Sequence, residues 1–335
     1  MHPALQGLIT IALGVGGCLG YFWLSNQILD KVIFPPRGKD IGRNINRANL
    51  VRPWLFLFPA LAALGLYLAY PVFETLRLSF TDRVPGGGYA FAGVDNYTQM
   101  LGEPKFWEAL RNNFFWLLIV PAASTGFGLL AAQLTDRIRW GNIAKSLIFM
   151  PMAISFVGAA VIWKLVYDAR PLGQEQIGVM NALYLWFGGD EPVTWLTVLP
   201  WNNIFLMVVL IWIQTGFAMV ILSAALRGIP EETIEAAIVD GAGPFQIFFK
   251  IKLPQISGTI VVVWTTITLV VLKVFDIVFA MTNGQWKTQV LANYMFDKLF
   301  RANDWGVGSA AAMVIMLLVT PILVWNVRNA RREMK

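Results

Sequence analysis

Apolar residues dominate seven runs of the chain, near 5–24, 54–73, 114–134, 147–163, 204–226, 258–280 and 307–327. Each run is about twenty residues, enough at 1.5 Å per helical residue to cross a hydrocarbon core of roughly 30 Å. Backbone polar groups inside lipid must bond to one another, so helices are the expected form. The pattern predicts an all-α polytopic membrane protein with seven transmembrane helices. A first helix occupies 1–24, a linker 25–53, a six-helix core 54–327 and a tail 328–335. No basic residue after Met1 and no small-residue cleavage site flank the first run, which reads as a retained span.

The longest polar interruption in the second half, 229–254, reads IPEETIEAAIVDGAGPFQIFFKIKLP. Pro230 suits the first position of a helix, where its missing N–H is no loss. Glu231, Glu232 and Glu235 sit near the positive end of that helix dipole. Ile234, Ala237 and Ile238 recur at i, i+3, i+4 as a narrow apolar stripe. Asp240-Gly241-Ala242 is a stop signal, because glycine takes the left-handed cap conformation easily. Pro244 opens a second short helix with Phe245, Phe248 and Phe249 on one face, and Leu253-Pro254 is expected to end it. The stretch predicts a helix, a glycine turn and a second helix, lying outside the bilayer between two spans.

This stretch resembles the coupling loop, the EAA loop, of bacterial ABC-importer permeases. The residues are Glu235-Ala236-Ala237, then Gly241, then Ile251-Lys252-Leu253-Pro254. The run DGAGPFQ is most similar to the maltose, oligosaccharide and α-glucoside branch. Tyr70-Pro71 with Ser79-Phe80, and Phe91-Ala92-Gly93-Val94-Asp95-Asn96-Tyr97 followed by Phe106 and Ala109-Leu110-Arg111-Asn112, resemble further motifs of that family. The resemblance covers roughly 52–327 and implies a type I ABC-importer core of six helices. It implies that Glu232, Glu235, Ala236, Ala237, Asp240, Gly241, Ala242, Leu253 and Pro254 dock on a cytosolic ATPase, with Glu235 as the charged contact. It implies no cofactor on this chain; ATP and Mg belong to the ATPase. The implied partners are two ATPase subunits, a second homologous permease expected to form a heterodimer, an extracytoplasmic solute-binding protein, a sugar and the lipid bilayer, with no nucleic acid.

Charge then fixes an orientation. Sixteen of the Lys and Arg residues fall in 25–53, 135–146, 227–257 and 328–335, against nine in the alternate segments. Cytoplasmic loops carry the excess of Lys and Arg, so the N-terminus is expected outside and the C-terminus in the cytoplasm. The linker, the 229–254 stretch and the tail are then cytoplasmic, and the resemblance implies the inner membrane of a bacterium. Of the 335 residues, 57% are hydrophobic and 14% charged, which excludes an ordinary soluble domain. The net charge of +6 reflects this membrane-side bias and not nucleic-acid binding. One cysteine, Cys18, excludes an intrachain disulfide, and one histidine, His2, excludes His-built zinc and acid–base sites. Gly86-Gly87-Gly88 is a flexible turn, since no Lys-Ser pair accompanies it, and no phosphate-binding P-loop occurs anywhere.

Polar residues inside spans are the candidate solute contacts. Gln214, Thr215 and Gly216, flanked by Trp212 and Phe217, interrupt the fifth span. They fit either a sugar pathway, with amide and hydroxyl groups on sugar hydroxyls, or helix packing. The sixth span carries Thr265, Thr266, Thr268, Val271, Lys273 and Asp276. Lys273 and Asp276, at i and i+3, fit a structural ion pair or a solute-facing role. The resemblance adds Phe275-Asp276, but Thr282-Asn283-Gly284-Gln285-Trp286 departs from the family pattern. Trp163, Trp186, Trp195 and Trp201 suit anchors at the membrane interface, or sugar stacking. Ala310-Ala311-Ala312 with Gly306 and Gly308 is a small-residue packing surface.

The sequence favours the permease subunit of an ATP-driven carbohydrate importer, with no enzymatic activity of its own. The alternatives are an importer permease for another polar solute such as a glycerol phosphate, and an ion-coupled secondary carrier. The carrier would need a mid-membrane carboxylate, and only Asp276, near a span end, qualifies. A retinal-type photoprotein would place its lysine in the last span, which has none.

Overall fold

The computed structural model describes residues 3–36, 41–84, 87–136 and 138–333. His2, Arg37, Lys39, Gly86, Arg137 and Lys335 lie outside the described residues. Two compact units divide the chain, Met1–Glu74 and Thr75–Lys335.

In the first unit, helix α1 (Pro3–Ile28) ends in one widened turn, Leu29–Ile33. Helix α2 (Ile41–Leu64) carries Pro53 and Pro59 and ends in a widened turn at Gly65–Ala69. The helical segment Tyr70–Ser79 follows, and its residues from Thr75 onward belong to the second unit. The expected linker at 25–53 is therefore mostly helix where it is described. Its polar residues hold the two helices together. The Arg52 guanidinium donates to both Asp30 carboxylate oxygens at 2.7 and 2.9 Å, and the Tyr21 hydroxyl donates to the Leu55 carbonyl at 2.9 Å. Phe22 stacks on Phe56 with ring centroids 5.1 Å apart. The remaining apolar side chains of α1, such as Leu8, Leu13 and Leu19, are exposed, as lipid-facing residues would be.

After Ser79 the second unit forms a small hairpin, β1 (Thr81–Arg83) antiparallel to β2 (Tyr89–Phe91). The Asn96 amide donates to the Ser79 and Thr81 carbonyls, both at 3.1 Å, and fastens this hairpin to the helix before it. Helix α3 (Pro104–Thr135) follows, with Pro104 at its first turn. The run expected as one span at 147–163 is broken. Helix α4 (Gly141–Phe149), a tight turn at Met150–Ala153 and helix α5 (Phe156–Val166) meet at a bend of 106°. Pro151 supplies no N–H and crowds the preceding turn. Ser155 then caps α5, its hydroxyl accepting from the Gly158 N–H at 3.1 Å.

Helix α6 (Asn202–Arg227) is the centre of the core, and α3 packs along it. A Cβ on Gly128 of α3 would lie 2.4 Å from the Ala218 Cβ and 2.8 Å from the Met219 nitrogen. Only glycine permits this separation. After α6 come two short helices, α7 (Glu231–Val239) and α8 (Pro244–Gln255). Helix α9 (Ser257–Leu272) leaves α8 at a bend of 69°. The expected span 258–280 stops early, at Leu272, and α10 (Asp276–Met281) restarts after a break. Tertiary packing draws the chain aside there, because the Phe275 ring lies 4.9 Å from Phe279 and 5.2 Å from Phe296. The last helix, α11 (Trp305–Glu333), buries Ala310 and Ala311 completely, as its small residues predict.

Candidate functional site

The 229–254 stretch is a helical hairpin. Pro230 is the N-cap of α7, one position earlier than expected. At the other end Asp240 is the C-cap and Gly241 follows at φ +81°. The Gly241 N–H donates to the Ile238 carbonyl at 3.0 Å and the Ala242 N–H to the Ala237 carbonyl at 2.9 Å. This pair of bonds is the Schellman cap, and it needs the left-handed conformation that glycine reaches without strain. The Gly243 N–H then donates to the Gln246 side chain at 3.0 Å, which starts α8. Helix α8 does not end at Leu253-Pro254, as the sequence suggests. A widened turn at Ile247–Lys252 lets it continue through Pro254 to Gln255.

The apolar stripe of α7 splits in two. Ala237 is buried in this chain and Ile234 packs against the main core, whereas Ile238 is 58% and Val239 86% exposed. Phe245 and Phe249 of α8 are 80% and 57% exposed. Glu232, Glu235, Ala236 and Asp240 are exposed as well, and Leu253 is half-buried. The hairpin thus presents an apolar surface edged by carboxylates at one end of the bundle.

The candidate solute residues separate into different roles. A Cβ on Gly216 would meet the Ile148 carbonyl oxygen at 2.6 Å, so Gly216 is the point where α4 crosses α6. The Thr215 hydroxyl donates to the Ile211 carbonyl at 2.7 Å, and Thr268 donates to Trp264 at 2.8 Å. Thr265 and Thr266 bond to their own helix in the same way. Such back-bonding satisfies the hydroxyl within the helix. Trp212 packs edge-on against Trp163 with centroids 5.8 Å apart, Phe217 packs on the core, and Val271 is fully buried. Gln214 differs from these. It is 7% exposed, and its amide makes no hydrogen bond to another described residue.

Lys273 caps the C-terminus of α9, with Asp276 beyond the break, so the expected i, i+3 geometry is lost. The two form no ion pair among the described residues. Instead both line a cavity of about 260 Å³ with Phe156, Leu210 and Val270. Sequence reasoning missed Phe156 and Leu210, because apolar residues in apolar runs carry no local signal. It also missed a clamp at the hairpin end of the bundle. Asp136, just past α3, pairs with Lys145 of α4, and the Lys145 ammonium donates to the Ser223 hydroxyl of α6 at 2.8 Å. Ser223 in turn donates to Asp136 at 3.1 Å.

The opposite end of the bundle is held by asparagines. Asn112 donates to the Lys287 and Gln289 carbonyls at 2.9 and 2.8 Å. Asn202 donates to the Trp286 carbonyl at 2.6 Å, and Asn203 to Lys287 at 3.1 Å. Nearby, Glu103 pairs with Lys298 and accepts from the Tyr294 hydroxyl at 2.8 Å. Burial, and then this bond to Glu103, hold the Tyr294 phenol above its ordinary pKa.

Comparison with known proteins agrees with this architecture. A family described as binding-protein-dependent transport system inner membrane component matches residues 124–334. The chain is 62% identical over 337 residues to the alpha-glucoside transport system permease protein AglF of Rhizobium meliloti, covering 99% of each chain. It is 46% identical to the osmoprotective compounds uptake permease protein GgtC of Synechocystis, over 84% of this chain and 99% of that one. A crystal structure of a bacterial ABC transporter that imports the acidic polysaccharide alginate shares the fold, with a TM-score of 0.72 at 21% identity over 88% of this chain and 99% of the other. The matched segment runs from the middle of α3 through the hairpin into α11, and the chain belongs to the binding-protein-dependent inner-membrane components, the permease subunits of ABC importers.

Proposed function

We propose that this permease passes an α-glucoside or a related oligosaccharide across the inner membrane, driven by a separate ATPase that seats hairpin 229–254. The observation that carries the coupling role is the hairpin itself. A nine-residue helix is marginal alone. This one is fixed by a Schellman cap, yet leaves Ile238, Val239, Phe245 and Phe249 uncovered. Exposed apolar clusters with a polar rim suit a protein partner. Glu235 and Ala236 are exposed as well, and Glu235 offers a contact to a basic group. In this reading ATP and magnesium stay on the partner chain, a related permease completes the membrane part, and a binding protein delivers the solute. The hairpin and C-terminus are cytoplasmic, and the N-terminus is outside.

The carbohydrate assignment is supported by the full-length likeness to an alpha-glucoside permease. Along α6, Asn203, Met207, Leu210, Gln214 and Phe217 follow at alternate spacings of four and three residues and form one stripe. Gln214 brings to it a side-chain amide with no hydrogen-bond partner among the described residues, available to bond sugar hydroxyls. The test is solute-stimulated ATP hydrolysis and uptake by the reconstituted complex with its binding protein. Maltose, trehalose and sucrose are compared with glycerol 3-phosphate. Stimulation by the α-glucosides alone is expected. Stimulation by the glycerol phosphate alone refutes the carbohydrate assignment.

A further inference from the structure

At the end of the bundle remote from the hairpin, a cavity of about 550 Å³ opens between the Arg111–Ile119 stretch of α3 and the first turns of α6. Its size lies within the usual ~300–1,000 Å³ of small-molecule sites. Phe115 and Met207 give it apolar walls, and Arg111, Trp201, Asn203 and Lys287 stand around them. Four features mark it as a built site. Arg111 and Lys287 form no ion pair among the described residues, and the nearby Glu108 carboxylate instead accepts the Gln289 N–H at 3.2 Å. Asn203 uses its amide N–H on the Lys287 carbonyl, while its carbonyl oxygen is buried without a partner. Trp201 is 61% exposed. Finally, Trp286 and Lys287 both hold left-handed backbone, at φ 53° and 61°, which is costly for non-glycine residues. Bonds from Asn112, Asn202 and Asn203 to the carbonyls of these two residues hold that conformation.

Asn203 and Met207 also head the α6 stripe that continues to Leu210 and Gln214. We propose that this cavity is an entry subsite that receives the carbohydrate before it reaches the middle of the membrane. The proposal rests on the carbohydrate reading given above. Arg111 and Lys287 donate to sugar hydroxyls, the free Asn203 oxygen accepts from one, and the Trp201 ring covers an apolar sugar face. Sugar leaving the binding protein is thereby kept from returning to the outside.

The test is the number of sugar molecules imported per ATP hydrolysed by the reconstituted complex, with maltose-loaded binding protein. In Trp201→Ala and Arg111→Gln, binding-protein affinity and stimulated hydrolysis should match the unaltered complex, while import per ATP falls about three- to ten-fold, the worth of one ring contact. Trp201→Phe should restore the ratio. An unchanged ratio in both variants overturns the proposal. So does a loss of binding-protein affinity or of stimulated hydrolysis, because the cavity would then act in docking. If the unaltered complex imports no carbohydrate but does import another solute, the carbohydrate reading fails instead.

Discussion

Gly241 offers the sharpest test of the coupling hairpin, because the expected cost there is conformational and nothing else. Its φ is +81°, and a Cβ built on it meets no atom within 4 Å. A side chain at this position therefore clashes with nothing and costs only the left-handed backbone. That is about 1 kcal/mol for alanine and about 2 for a β-branched valine, with asparagine below both. If the cap relaxes, the bonds to the Ala237 and Ile238 carbonyls are lost with it. A difference of about 1.4 kcal/mol is tenfold in an equilibrium. The capped hairpin should thus fall about five-fold in Gly241→Ala and about thirty-fold in Gly241→Val, with Gly241→Asn close to the original. The assay is retention of the ATPase on the purified permease, together with solute-stimulated hydrolysis in the same samples. Insertion of the spans should not change, since no apolar run is touched. The order Gly, Asn, Ala, Val is the signature. Equal behaviour of all four refutes the conformational argument, and full retention in Gly241→Val refutes the coupling role.

Other outcomes follow from single contacts. Gly216→Ala places a methyl group 2.6 Å from the Ile148 carbonyl oxygen, so the α4–α6 crossing must shift and thermal stability in detergent should fall by about 1–3 kcal/mol. Gln214→Ala should lower sugar uptake while leaving insertion and basal hydrolysis intact, and wild-type uptake would return this amide to a packing role. Lys145→Met leaves Asp136 and the buried Ser223 without their cation and should cost about 1.5–3 kcal/mol; the double variant with Asp136→Leu should recover part of that, read as the melting temperature of each. In a Cys18→Ser background, an impermeant thiol reagent applied to intact cells should label cysteine at position 3 and not at position 333, and the reverse pattern overturns the orientation.

The hairpin was legible in the sequence because its signals are local: a proline start, a glycine stop and a second proline start within fifteen residues. The long spans were legible for a similar reason, since length and apolarity suffice. The breaks at Met150–Ala153 and after Leu272 were not. Both lie inside runs apolar enough to cross a membrane whole, and hydropathy is indifferent to backbone direction. Pro151 is a local mark of the first break, set among apolar neighbours. The second goes with Phe275 packing on Phe296, a contact between segments that only the folded chain brings together. The same holds for Asn112. Its motif pointed to the family, but its work of holding the backbone at Lys287 and Gln289 spans more than 170 residues of sequence.

The contact between Gly128 and Ala218 bears on how such a protein can move. Two helices seated this closely cannot slide past one another by a turn without driving backbone into backbone. They are also pinned at one end through Asp136, Lys145 and Ser223. At the other end both α3 and α6 grip the loop at Lys287. Helices α3 and α6 therefore behave as one strut, and α6 alone is 26 residues, about 39 Å long. A tilt of about 10° around its centre swings either tip by roughly 3 Å. A push on the hairpin joined to one tip is then felt at the opposite end, beside Asn203 and Lys287, as a displacement the size of a hydrogen bond. The two ends of the bundle are then the two ends of one lever, and no relay of side chains between them is required.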